Sequence, residues 1–129
     1  MRKGCYHIHM ATERMELTTI EDLDRVWAAS DEKPCLFFKH STRCPISTRA
    51  LSAFEQALTR PEADAVTWVY LDLIAHRDVS NEIATRSGIA HQSPQAILVQ
   101  KGKPVWNASH IGITVDSLIE AVSATKFGI

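Results

Sequence analysis

The chain has 129 residues, a formal net charge of −1 and 45% hydrophobic residues. This length is sufficient for one domain with a hydrophobic core, and the near balance of charge argues against nucleic-acid binding or a basic membrane-binding face. The sequence has no apolar stretch long enough to span a bilayer and no apolar signal core, and its three cysteines are too few and too unevenly spaced for a disulfide framework, so we expect a cytoplasmic protein.

The start of the chain shows no useful periodicity. We predict that residues 1–14 form a disordered or vector-derived extension, followed by a single domain over residues 15–129. Cys5, His7 and His9 could suggest a metal cluster, but an extension outside the fold explains them more simply, and we assign no metal site. No repeat or low-complexity stretch divides the domain.

Hydrophobic periodicity predicts alternating strands and helices along this domain. In chain order we predict an edge strand over 15–17, a helix over 20–29, a strand over 35–39, a helix from 44 or 45 to 58, a strand over 66–74, a helix ending at 88, a strand over 96–99, a turn over 101–103, a strand from 104 to 106 and a helix after 114. Strands separated by helices favour parallel crossovers, whereas the closing hairpin adds antiparallel strands. The sequence therefore predicts an α/β fold whose mixed sheet carries helices on both faces.

Helix boundaries have their own sequence signals. Thr18 and Glu21 are spaced as a capping box, Asp78 can cap the third helix, and Thr114 can cap the last one. Gly88 is suited to a left-handed helix end.

Cys44 lies where the strand over 35–39 passes through a turn into the next helix. The free N–H groups and the positive dipole end of a first helical turn stabilise an anion there, which lowers the pKa of a cysteine and makes its thiolate the nucleophile. Pro45 is compatible with this placement, because proline is well tolerated in the first helical turn. Arg43 and Lys39 add positive charge nearby. Cys35, by contrast, lies within an apolar strand and is expected to be an inert buried thiol.

This element order resembles the thioredoxin fold, with Cys44 at the first strand–helix turn and Pro94 just before the closing hairpin. The resemblance implies a cis peptide bond at Pro94, beside the reactive sulfur. It also implies that the backbone of Ser93 faces the thiolate and pairs with the substrate. The alternative for Pro94 is an ordinary trans proline in a loop.

The redox motif of that fold is C-x-x-C, but Ser47 occupies the fourth position here. A hydroxyl cannot form the internal disulfide, although it can donate a hydrogen bond to the Cys44 thiolate. We therefore predict monothiol chemistry, in which Cys44 forms a mixed disulfide with a small thiol. A second, external thiol is then needed to regenerate the free Cys44. The spelling C-P-x-C is that of glutaredoxins and indicates small-thiol adducts.

Four segments together resemble the YtxJ-type monothiol bacilliredoxins: 39–42, 44–47, 91–95 and 108–110, with the sequences KHST, CPIS, HQSPQ and ASH. The resemblance implies removal of bacillithiol from modified cytosolic proteins, with bacillithiolated Cys44 as the intermediate. Free bacillithiol or a disulfide reductase would then remove bacillithiol from Cys44 and regenerate its thiol. No tightly bound cofactor is expected, and bacillithiol is the low-molecular-weight co-substrate.

Bacillithiol carries two malate carboxylates, an amine and a sugar, and such anions favour cationic donors and free N–H groups. Catalytic roles are predicted for Cys44, Ser47 and Pro94. Substrate binding is predicted for Thr42, Arg43, Pro45, Ser93 and Lys39. Arg43 could instead be a solvated loop residue, and Lys39 could snorkel from the strand end.

His40 and His110 could relay protons or serve only as structural polar groups, and His76 and His91 receive no role.

Three other functions remain open at this stage. A monothiol glutaredoxin-type iron–sulfur carrier would use Cys44 as the cluster ligand. A redox-inert interaction module would keep only the fold. A dithiol pathway would use Cys35 or Cys5 to resolve Cys44.

Overall fold

The computed structural model describes residues 12–41 and 45–125, and for Ile46 it describes the backbone only. Within these residues the strands are β1 (Arg14–Glu16), β2 (Cys35–His40), β3 (Thr67–Asp72), β4 (Gln95–Gln100) and β5 (Lys103–Ser109). The helices are α1 (Ile20–Ala29), α2 (Pro45–Ala57), α3 (Arg77–Ser87) and α4 (Val115–Ala124), and two short 3₁₀ turns cover Pro61–Ala65 and His110–Gly112. The predicted order and the α/β class are confirmed, whereas neither 3₁₀ turn had a counterpart in the prediction.

The five strands form one sheet in the order β1-β3-β2-β4-β5. β1 and β2 run parallel to β3, while β4 is antiparallel to both β2 and β5. In the register of the sheet, Lys39 near the end of β2 pairs with Gln95 at the start of β4, and His40 pairs with Asp72 at the end of β3. The segments that follow β2 and β3 and the loop that precedes β4 therefore meet at one end of the sheet.

Alternate residues of β2 supply two separate hydrophobic cores, one on each face of the sheet. Phe38 packs with Phe54 of α2 at a ring separation of 4.6 Å, in the core shared with α4. Phe37 belongs to the core made with α1 and α3. Each phenylalanine buried in this way stabilises the fold by about 1.5–3 kcal/mol. Since β2 is covered on both faces, it reads as a continuous apolar run in the sequence.

Two of the predicted helix caps are wrong by one or two residues. The N-cap of α1 is Thr19, whose Oγ1 accepts a hydrogen bond of 3.0 Å from Asp22 N, so Thr18 and Glu21 do not form the capping box. His76 precedes α3, which places Asp78 inside its first turn, where a negative charge favours the helix dipole. The predictions for Thr114 as a cap and for a left-handed Gly88 are confirmed.

The N-terminal edge of the domain lies earlier than predicted. β1 begins at Arg14, and Thr12 N donates to Leu58 O at 2.8 Å while Thr12 Oγ1 donates to Asp64 Oδ1 at 2.6 Å. The domain therefore extends at least to Thr12 rather than beginning at residue 15. Residues 1–11, which include Cys5 and the two early histidines, lie outside the described residues, so the extension there stays a prediction.

Two further features bear on the sequence predictions. The tight turn between β4 and β5 is built on Lys101 and Gly102, both with positive φ (54° and 74°). Among the described residues, no helix combines the length and apolar character needed to cross a bilayer.

Candidate active site

Three segments converge at the end of the sheet where β2 and β3 finish: the last residues of β2, the start of α2 and the loop that leads into β4. Pro45, the first residue of α2, is exposed. In the sequence Cys44 directly precedes it. Thr42, Arg43 and Cys44 themselves lie outside the described residues, so their predicted roles stay predictions.

Ser47 lies in the first turn of α2 and is completely buried. Its Oγ accepts a hydrogen bond from Ser41 N at 3.0 Å and lies 2.8 Å from His40 Nδ1. The single hydroxyl proton has two uses, depending on the state of the imidazole. If His40 Nδ1 lacks a proton, Ser47 donates to it. If His40 Nδ1 carries a proton, the imidazole donates and the Ser47 hydroxyl can donate to another acceptor.

The environment of His40 favours its uncharged form. The ring is 3% exposed and lies 5.9 Å from the Phe38 ring and 5.7 Å from the Tyr70 ring. Burial lowers the pKa of His40, and the nearby Asp72 opposes this effect without overcoming it. At neutral pH His40 is therefore a neutral hydrogen-bonding partner of Ser47. The sequence left open whether His40 tunes the site or is structural, because the Ser47 contact spans seven residues across a turn.

The loop before β4 carries the second half of the site. The peptide bond between Ser93 and Pro94 is cis, as the resemblance implied, and Pro94 is buried. Pro94 O accepts a hydrogen bond from His110 N at 3.0 Å, which ties this loop to the end of β5. Within the described part of the chain, the Ser93 Oγ is buried and has no hydrogen-bond partner.

The side chain of Gln95 holds the loop before β4 through hydrogen bonds, a role that the sequence did not lead us to predict. Its buried side chain donates from Nε2 to Ala90 O at 3.0 Å and accepts from Gln92 N at 3.4 Å. The signal was present in the sequence as a polar residue directly before four apolar residues of the same strand. A buried amide there requires partners, and the loop supplies them.

Lys39 points to the face of the sheet opposite His40 and Ser47. It exposes none of its surface, and its Nζ donates to Ser80 O of α3 at 3.0 Å and lies 3.4 Å from His91 Nδ1. Burial lowers the pKa of Lys39 from 10.5 to about 8. The snorkelling interpretation is therefore wrong, because the ammonium group does not reach the surface.

Cys35 has the properties of an inert core thiol. It is 1% exposed, its Sγ lies 4.0 Å from Val26 O, and burial raises its pKa to about 12. The thiolate form, which is the nucleophile in disulfide exchange, is therefore scarce at neutral pH. This argues against Cys35 as the thiol that resolves Cys44. In the part of the chain that the structure describes, no group of three or more His, Cys, Asp or Glu side chains is placed to hold a metal ion.

The comparisons with known proteins agree with this architecture. A family model described as monothiol bacilliredoxin BrxC matches residues 15–118. A solved structure described provisionally as an oxidoreductase with a thioredoxin fold is 35% identical, with 84% of this chain and 92% of that chain covered and a TM-score of 0.74.

More distant solved structures share the fold alone. Thioredoxin from Malassezia sympodialis is 14% identical, with 93% of this chain and 97% of that chain covered and a TM-score of 0.74. Thioredoxin from Trypanosoma brucei brucei is 11% identical, with 97% and 98% covered and a TM-score of 0.71.

Proposed function

The chain belongs to the monothiol bacilliredoxin family, whose thioredoxin fold supports thiol–disulfide oxidoreductase chemistry, and on that premise we propose that it removes bacillithiol from protein mixed disulfides. The nucleophile in this proposal is the Cys44 thiolate. The observation that carries the proposal is Ser47, a buried hydroxyl at the position where a dithiol protein has its second sulfur.

The proposed reaction has two exchange steps. In the first, the Cys44 thiolate attacks the bacillithiol sulfur of a protein–bacillithiol disulfide. The client cysteine leaves as a thiolate and takes up a proton, and Cys44 now carries the bacillithiol. In the second, the thiolate of free bacillithiol attacks the bacillithiol sulfur on Cys44. This step releases bacillithiol disulfide and returns the Cys44 thiolate.

The proposed need for an external thiol rests on Ser47 and on Cys35, since Cys5 lies outside the described residues. Ser47 cannot form a disulfide, and Cys35 is buried with a pKa of about 12. We therefore assign the second step to free bacillithiol, with a disulfide reductase as the alternative donor. Bacillithiol acts as a co-substrate, and the proposed location is the cytoplasm, where clients carrying bacillithiol adducts would be found.

The neutral His40 gives Ser47 a defined role in this proposal. While the imidazole accepts the hydroxyl proton, the Ser47 oxygen is fixed by two contacts, at 2.8 Å to His40 and 3.0 Å to Ser41 N. If the imidazole carries its proton on Nδ1, it donates to Ser47, and the hydroxyl proton becomes available to a thiolate. With the imidazole proton on Nδ1, the Ser47 hydroxyl can stabilise the thiolate of Cys44 without competing for the mixed disulfide.

The test is the incubation of the protein with a model protein that carries bacillithiol on a single cysteine. We expect intact-mass spectrometry to find the adduct moved to this chain and mapped to Cys44, with no transfer in Cys44→Ser. The matched control is Cys35→Ser, which should transfer normally because Cys35 takes no part. Failure of the wild-type protein to accept the adduct would refute the proposal.

Iron–sulfur cluster binding is the alternative function, and it can be measured directly. Anaerobic reconstitution with iron and sulfide, followed by visible absorbance, would reveal a cluster that depends on Cys44. A stable cluster together with no transfer of bacillithiol would favour the carrier function.

A further inference from the structure

A small polar pocket opens on the α3 side of the sheet, the face opposite Ser47. It lies at the end of the sheet where the candidate active site also lies. Its volume is about 80 Å³, which is room for a few water molecules or for one small anionic group. The residues that line it are Leu73, Arg77, Ser80, Asn81 and His91. We refer to it as the Arg77 pocket.

The charge of the Arg77 pocket has one sign. Arg77 and His91 line it, and none of its lining residues carries a carboxylate. Among the described residues, Arg77 has no ion-pair partner, a property it shares with the exposed Arg60. Arg14, Arg25 and Arg86 each have at least one carboxylate partner. A guanidinium that is left unpaired at the mouth of a cavity is available to an incoming anion.

Lys39 adds a buried cation behind the pocket. It contacts two of the lining residues, with Nζ 3.0 Å from Ser80 O and 3.4 Å from His91 Nδ1. Among the described residues no carboxylate pairs with it, although it exposes none of its surface. A buried ammonium without a counter-charge is costly, and a ligand that supplied the missing charge would offset this cost.

The electrostatics at His91 point in the same direction. Burial lowers the pKa of His91, and the positive charges of Lys39 and Arg77 lower it further. The local potential is therefore positive even with the imidazole neutral. An anion bound there would reverse this effect and raise the pKa of the imidazole.

The position of the pocket links it to the thiol chemistry. His91 precedes the cis Pro94 by three residues, and Lys39 pairs in the sheet with Gln95. Both residues thus belong to segments that also form the candidate active site. A ligand bound at the loop before β4 can therefore extend another of its chemical groups into the Arg77 pocket.

We propose that the Arg77 pocket binds a carboxylate of the low-molecular-weight thiol, with Arg77 as the exposed donor and Lys39 as the buried charge behind it. This inference rests on the proposed function, because it identifies the group of bacillithiol that the protein recognises. In bacillithiol that group is the malate. The pocket selects thiols that carry a carboxylate over neutral ones.

The first test compares two adducts on the same model protein: bacillithiol, and cysteinyl-glucosamine, which is the same thiol without malate. We expect the wild-type protein to accept the bacillithiol adduct about tenfold faster, the effect of one charge-assisted hydrogen bond. In Arg77→Ala the ratio of the two rates should fall to about one. Arg77→Lys should keep part of it, since it retains the charge without the bidentate fork.

The matched control is Arg60→Ala, which removes the same charge from an exposed residue just beyond the far end of α2. The wild-type ratio should persist in this variant. Equal rates for the two adducts in the wild-type protein would overturn the inference while leaving the proposed function intact. A fall in both rates by the same factor in Arg77→Ala would also overturn it, since the pocket would then serve a carboxylate of the client.

A second readout does not depend on transfer. With Cys44 alkylated, malate is titrated into the protein while NMR follows the His91 imidazole, and methyl glucoside serves as the neutral comparison. We expect malate alone to shift the His91 signals and to raise its pKa, and Arg77→Ala to abolish both changes. If no adduct is transferred at all, the proposed function fails, and this titration still decides whether the pocket binds a carboxylate.

Discussion

At the scale of single residues, Ser47 joins two structural segments through one oxygen atom. It accepts from Ser41 N and contacts His40 Nδ1, and it is fully buried. Ser47→Ala removes both hydrogen bonds without adding volume, so we expect the free energy of unfolding to fall by about 1–3 kcal/mol. Chemical denaturation at pH 7 measures this change.

Thr48 provides the matched control for that substitution, because it is the next residue of α2 and its side chain is exposed. Thr48→Ala should change the free energy of unfolding by no more than about 0.5 kcal/mol. If the two variants were equally stable, the oxygen of Ser47 would contribute no net stability through these contacts.

Burial of the Lys39 ammonium group lowers the stability of the fold, although the proposed binding site uses the same positive charge. Burial lowers its pKa from 10.5 to about 8, so below pH 8 both the folded and the unfolded chain hold the proton and the cost of the buried charge is fully present. Between these two values the unfolded chain binds more protons, and the free energy of unfolding of the wild-type protein rises with pH. We expect Lys39→Met to be more stable at pH 7 by about 1–3 kcal/mol, because an apolar side chain of similar length removes the cost.

The advantage of Lys39→Met should shrink as the pH is raised from 8 towards 10.5, since the wild-type amine then becomes neutral in the fold. Denaturation curves recorded across this range for both proteins measure the difference. Lys103→Met, at an exposed position of β5, should show no comparable gain. A Lys39→Met variant that is less stable than the wild type at pH 7 would show that the contacts of the ammonium outweigh its burial.

At the scale of elements, the end of α3 determines how the chain enters the loop that carries Pro94. Gly88 closes this helix with φ of 73°, and a Cβ there would meet no atom within 4 Å. Gly88→Ala is therefore strained by its backbone alone, and we expect a loss of about 1–2 kcal/mol in the free energy of unfolding.

Gly112 is the control for Gly88→Ala, because it does not have positive φ and an added Cβ would lie 3.8 Å from the Ala108 Cβ, an ordinary contact. Gly112→Ala should be neutral or slightly stabilising, since it reduces the freedom of the unfolded chain. Thermal unfolding of the two variants distinguishes the cost of the backbone conformation from the effect of the added methyl group.

The elements themselves were largely predictable, because their signals are local. Apolar spacing identified α1 with its exact bounds and the order of the strands along the chain, and the glycine at 88 identified the end of α3. The errors are in the capping residues at helix starts, where neighbouring residues compete. Thr18 and Thr19 have the same side chain, and only the extended backbone of Thr19 decides which of them is the cap.

At the scale of the whole molecule, the candidate site was predictable only where one segment carried its own signal. The cis bond at Pro94 was implied by the resemblance to the thioredoxin fold, which rested on the place of this proline just before the closing hairpin. The contact of His40 with Ser47 depends on how a turn closes, and the Arg77 pocket assembles the end of β2, the start of α3 and the loop before β4. Sequence spacing does not determine these distances, because they arise from packing between elements far apart in the chain.

The burial of Cys35 is a property of the whole fold and leads to the last prediction. Its thiol lies in the core formed by β2 with α1 and α3, and burial raises its pKa to about 12. Reagents should reach it only when the domain opens, with a free-energy cost that for core strands approaches global unfolding.

In a Cys5→Ser, Cys44→Ser variant, which leaves Cys35 as the only thiol of the chain, we expect alkylation in buffer to be more than about a hundredfold slower than in denaturant. Mass spectrometry over time measures both rates, and an unstructured peptide with one cysteine calibrates the reagent under each condition. Alkylation of the folded variant at the rate of the peptide would make Cys35 an accessible thiol. The dithiol pathway would then regain its resolving cysteine, and an external thiol would no longer be required.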